Sequence, residues 1–119
     1  MQLKSLFLTC RDVTATLAFY RDELGLEVLS ERRLRLGPEV ELHLHPFLSA
    51  GDRQRYGLGE PGDGPRDGVV LSLRVSDLDP YLGLPRRRCG PLEAPWGDRL
   101  LIVEDPEGNL VELAQPCRA

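Results

Sequence analysis

No apolar run in the sequence approaches the roughly 18 residues that a membrane-spanning helix needs. The apolar patch near the N-terminus, Leu6-Phe7-Leu8, falls far short of the ~7–15 residues of a signal-peptide core. No membrane or targeting segment is therefore expected, and a cytoplasmic location is. Cysteine is scarce: there are three, an odd count without a CxxC pair. That argues against a disulfide framework or a zinc ribbon, and the thiols suit a reducing compartment. Basic residues are not in excess, with 15 Lys and Arg against 19 Asp and Glu and a net charge of -4. A nucleic-acid partner normally requires the opposite balance.

What is present is a chain of 119 residues, 41% hydrophobic and 29% charged. That is enough for one ordinary domain burying roughly 65% of its unfolded surface. Leu3 to Cys10 alternates and is rich in β-formers, so it reads as a strand. Asp12 follows as a helix N-cap, with Val13, Leu17, Tyr20 and Leu24 on one apolar helical face and Gly25 at the C-terminal stop. Leu26 to Glu31, Arg33 to Leu36 and Glu39 to His45 read as three strands. Residues 46–68 are rich in glycine and proline with no apolar period, so they read as a long connection. Val69 to Val75 is a strand and Asp77 a second N-cap, with Gly83 and Pro85 stopping that helix early. A short strand over Pro91 to Ala94 precedes strands Arg99 to Glu104 and Leu110 to Ala114, the last two joined by a turn at Asp105-Pro106-Glu107-Gly108-Asn109. Strand-then-Asp thus occurs twice, at Cys10-Arg11-Asp12 and at Val75-Ser76-Asp77, each followed by a helix and further strands.

Two blocks carry a family resemblance. Leu17-Ala18-Phe19-Tyr20-Arg21-Asp22-Glu23-Leu24-Gly25 resembles the opening of glyoxalase/bleomycin resistance/dioxygenase proteins, the vicinal oxygen chelate superfamily. Asp105-Pro106-Glu107-Gly108-Asn109-Leu110-Val111-Glu112 is similar to its closing strands. The resemblance implies an α+β fold of paired βαβββ modules forming a curved mixed sheet around a cavity, often completed by a second subunit. It places module 1 at about 1–46, the linker at 47–68 and module 2 at about 69–117.

Metal-dependent members place ligands near the start of each module's first strand and on each last strand. By resemblance, Glu41 and Glu112 fall on the acidic positions, and Ser5 and Val70 on the first-strand positions. Valine has no ligand atom and serine is a poor ligand for a transition ion. The pattern matches the metal-free, ligand-sequestering branch better than the glyoxalase branch.

Glu41, His43 and His45 alternate along one strand and share a face, opposite Val40, Leu42 and Leu44. Such a strip either lines a binding cavity or, with Glu112, chelates a divalent metal through Glu41 and His43. Strand parity puts Ser5, Phe7, Ser72 and Arg74 on the cavity side. Trp96 is either a stacking wall or a plug at a module edge. Gly57 to Gly62 matches GxGxxG by accident, because Pro61 interrupts it and no strand leads into it. Arg86-Arg87-Arg88 reads as a solvated loop.

The leading expectation is a homodimeric small-molecule binder of the bleomycin-resistance type, holding a drug or metabolite without metal or chemistry. The alternative is a metal-dependent glyoxalase-like lyase, isomerase or dioxygenase with a rearranged Glu/His site. Two inward carboxylates with only Arg74 to offset one of them favour a cationic or hydrogen-bond-donating ligand. No catalytic residue stands out.

Overall fold

The computed structural model describes residues 1–47, 49–57 and 66–117. The chain divides into two compact units, Met1–Gly64 and Pro65–Ala119. Each builds one four-stranded mixed sheet, and neither sheet closes on itself.

The first unit runs β1 (Ser5–Cys10), α1 (Val13–Ala18), a π-helical turn (Phe19–Glu23), β2 (Val28–Ser30), β3 (Arg33–Gly37), β4 (Val40–Pro46) and α2 (Ala50–Arg55). Its strand order is β1-β4-β3-β2, with β1 and β4 parallel and the other pairs antiparallel. Asp12 caps α1 as expected, its Oδ1 accepting the Ala15 N–H at 2.9 Å. The buried Thr16 donates its hydroxyl to the Asp12 carbonyl at 2.9 Å, so no polar group is stranded under the helix. The turn that follows is wider than an α-turn: the Leu24 N–H reaches back five residues to the Phe19 carbonyl at 3.2 Å. This extra width lets the adjacent rings of Phe19 and Tyr20 both be buried, edge to face at 5.0 Å. Gly25 then takes φ 75°, a conformation that costs glycine little. Helix α1 packs on β4, whose Leu42 and Leu44 form the core with Leu34 of β3.

The connection expected over 46–68 is not structureless. Ser49 caps α2 by accepting the Asp52 N–H at 3.2 Å, and none of the helix is buried. With no face to bury, it shows no apolar period. The expected GxGxxG segment beyond Gly57 lies outside the described residues.

The second unit runs β5 (Arg66–Arg74), a single 3-10 turn (Asp79–Tyr81), β6 (Arg87–Glu93), β7 (Arg99–Glu104) and β8 (Asn109–Gln115). Its order, β5-β8-β7-β6, repeats that of the first, again with the first and last strands parallel. The helix expected after Asp77 is reduced to the 3-10 turn. The Asp77 carboxylate accepts the Asp79 N–H at 3.1 Å, but Pro80 can donate nothing further along, and the turn ends before Gly83. The core is Leu101, Val103, Val111 and Leu113, with Leu78 beneath the turn. Asp105 closes the β7–β8 connection. Its buried carboxylate accepts the Glu107 and Asn109 backbone N–H groups, both at 2.9 Å, and the Asn109 side-chain amide at 2.8 Å.

Among the described residues no helix is long and apolar enough to cross a membrane.

Candidate functional site

On the first sheet the residues alternating with the buried leucines form a polar face. The parallel register sets Ser5 beside Glu41, Phe7 beside His43 and Thr9 beside His45. On the other side of β4, Arg33 lies opposite His43. All the candidates expected from this unit therefore fall on one face.

Glu41 is engaged on both oxygens. Arg33 Nη1 donates to Oε1 at 3.1 Å, and His43 Nε2 lies 3.4 Å from Oε2. Arg33 was not among the expected site residues, although its alternation with Leu34 marked it as facing this way. Phe7 is 51% exposed, and its ring lies 5.1 Å from that of His45, tilted by 32°. An open recess of about 420 Å³ is lined by Phe7, Ser30, Arg32, Arg33, His43 and His45, with Glu31 and Leu44.

The second sheet repeats the pairing. Ser72 lies opposite Glu112 and donates its hydroxyl to Oε1 at 2.7 Å. The register corrects one carry-over: Val70 lies opposite Leu110, and Ser72 takes the place beside the acid. Ser72 stands five residues before Asp77, whereas Ser5 stands seven before Asp12, so counting back by the same spacing from each Asp overshoots the serine in this unit. Arg74 is exposed on the same face as Ser72. Trp96 sits at the tip of the β6–β7 hairpin, closed by the Gly97 N–H to Ala94 carbonyl bond at 2.8 Å, and is 65% exposed. A recess of about 400 Å³ includes Leu92, Glu93, Arg99, Gln115 and Cys117 but not Glu112. The arginine run starts β6. Arg88 pairs with Glu104 at 2.8 Å and Arg87 donates to the Leu82 carbonyl at 3.2 Å, so two of the three guanidinium groups are already occupied.

No protein-family model matches the sequence, and no curated protein matches it. Solved structures do. A glyoxalase/bleomycin resistance protein/dioxygenase from Nocardioides aligns over 100% of this chain and 85% of its own, with TM-score 0.73 at 21% identity. TnmS3, an antibiotic binding protein from Streptomyces sp. CB03234, aligns over 98% of this chain and 96% of its own, with TM-score 0.66 at 21% identity. A lactoylglutathione lyase from Agrobacterium tumefaciens aligns over 96% and 92%, with TM-score 0.67 at 25% identity. The chain has the fold of the vicinal oxygen chelate superfamily.

Metal-dependent members of that superfamily call for a ligand set that this chain does not supply. The first-strand positions beside Glu41 and Glu112 both hold serine, whose neutral hydroxyl is a poor ligand for a transition ion. Glu41 is already committed to Arg33 and His43, and Glu112 to Ser72. Among the described residues no three His, Cys, Asp or Glu side chains gather closely enough to hold an ion. The two serines make these positions a poor donor set for a transition ion.

Proposed function

We propose that this protein binds a small organic molecule reversibly, without metal and without chemistry, as a cytoplasmic homodimer of the antibiotic-sequestering kind. The observation that carries the reading is the serine–glutamate pair repeated on both sheets. Such pairs offer donors and acceptors to an organic ligand, but no nitrogen ligands to an ion. The fold likeness to an antibiotic binding protein supports it. The dimer is supported by β5, an edge strand carrying Val69 and Val70 exposed at 66% and 44%.

The two acids differ in charge balance. Arg33 compensates Glu41, whereas the Ser72 hydroxyl brings no charge to Glu112. A cationic ligand is thus favoured at Glu112. Calorimetric titration with 9-aminoacridine, a flat cation, and with acridine-9-carboxylate, an anion of similar size, tests this. The cation binds saturably and more tightly, and Glu112→Gln removes about 1–3 kcal/mol of its binding, as for a charge-assisted hydrogen bond. Failure of both compounds to bind, or a cation affinity unchanged in Glu112→Gln, refutes the assignment.

A further inference from the structure

The recess on the first sheet has a chemistry of its own, different from that around Glu112. Its lining includes two arginines, Arg32 and Arg33, and one acid, Glu31, and since Arg33 is already paired with Glu41, Arg32 is the guanidinium left for a ligand. Arg33 donates Nε to Ser30 Oγ at 3.3 Å and Nη1 to Glu41 at 3.1 Å, which holds its plane fixed. The Arg32 side chain makes no ion pair or hydrogen bond among the described residues. A free guanidinium fork beside an anchored one suits a carboxylate, which it meets through two parallel hydrogen bonds.

The two imidazoles have assignable hydrogens. His45 Nδ1 lies 3.2 Å from the Pro46 carbonyl, which only accepts, so Nδ1 carries the hydrogen. His43 Nε2 faces a carboxylate oxygen, so there the hydrogen is on Nε2. In the neutral rings this leaves His45 Nε2 and His43 Nδ1 as acceptors, which call for a donor on the ligand. Phe7, half exposed and beside the His45 ring, supplies a flat apolar surface.

We infer that this recess binds planar aromatic acids that also carry an O–H or N–H donor, the class of the hydroxybenzoates. The carboxylate meets Arg32, the ring lies against Phe7, and the donor reaches an imidazole nitrogen. The assignment rests on the small-molecule reading above and names the ligand class taken by the first unit. A volume of about 420 Å³ accommodates a single substituted ring with room to spare.

The test is calorimetry of the full chain with four probes of one size: 4-hydroxybenzoate, 4-methoxybenzoate, 4-hydroxybenzamide and 4-hydroxybenzamidine. We expect 4-hydroxybenzoate to bind at one site per chain. Removing its charge or its donor costs roughly tenfold each, the scale of one charged or buried hydrogen bond. Arg32→Ala, in an exposed turn, abolishes the preference for the acid over the amide, and Phe7→Ala weakens all four probes. Equal or tighter binding of the amidine in the Glu112→Gln variant, which lacks the cation-favouring acid of the second sheet, or an acid preference intact in Arg32→Ala, overturns the assignment. The acridine cation separates the two readings. If it binds while 4-hydroxybenzoate does not, the recess assignment is wrong and the binding reading stands. If neither binds, both fall.

Discussion

Removing the Asp105 carboxylate should cost more stability than any other polar change in the second unit. The side chain is 1% exposed and accepts at least three N–H groups among the described residues, two from the backbone of its own turn and one from the Asn109 amide. Asp105→Ala leaves those donors without their acceptor, and Asn109 is itself only 8% exposed. Each hydrogen bond to a charged group contributes roughly 1.5–3 kcal/mol, but the three share one carboxylate whose own desolvation is unfavourable. The net loss is therefore about 3 kcal/mol, well below the sum of the three bonds. Urea unfolding followed by circular dichroism measures it. The exchange Asp105→Asn with Asn109→Asp gives the sharper check. Asp105→Asn alone sets an amide against the Asn109 amide, whereas the double variant restores a donor–carboxylate pair. The double variant should thus be more stable than the two single losses added together. Additive losses, or an Asp105→Ala variant within about 0.5 kcal/mol of wild type, the range of an ordinary surface change, would refute this account of the turn.

Three other outcomes are expected. Gly90 has φ 101°, and a Cβ there would lie 2.7 Å from the Leu100 carbonyl oxygen, so Gly90→Ala should destabilise by about 1–3 kcal/mol in the same urea assay. Asp22 is held below the ordinary carboxylate range by its hydrogen bond from Arg21. Any stabilisation it gives is present above that range and is lost as pH falls through the lowered value. Both side chains are exposed, so Asp22→Asn should leave the acid-unfolding midpoint unchanged. Light scattering at tens of micromolar should give a dimer mass, and a clean monomer would remove the dimer from the proposal.

Local chemistry made several elements readable from sequence. The Asp12 cap, the Gly25 stop and β7 at Arg99–Glu104 stand where the residue pattern put them. Helix α2 escaped because a helix with nothing buried has no apolar period to find, although Ser49 was there as a cap. The π-turn escaped because a period of 3.6 residues cannot put Phe19 and Tyr20 on one face. For the polar faces, strand parity was enough to place Ser5, Phe7, Glu41, His43, Ser72, Arg74 and Glu112. Cross-strand neighbours need the register: the shorter spacing from Ser72 to Asp77 and the β3–β4 pairing hid the Ser72–Glu112 and Arg33–Glu41 contacts. Those contacts decide how each acid is balanced, so the charge preference of the two faces was not legible beforehand.

The claim that this fold operates here without a metal is tested most directly by elemental analysis of protein purified without chelator or an affinity-tag metal. With serine beside both Glu41 and Glu112, no transition ion should approach one equivalent per chain. Zinc, nickel, manganese or iron near one equivalent, lost in Glu112→Gln or His43→Ala, would contradict it and favour a metal-dependent enzyme.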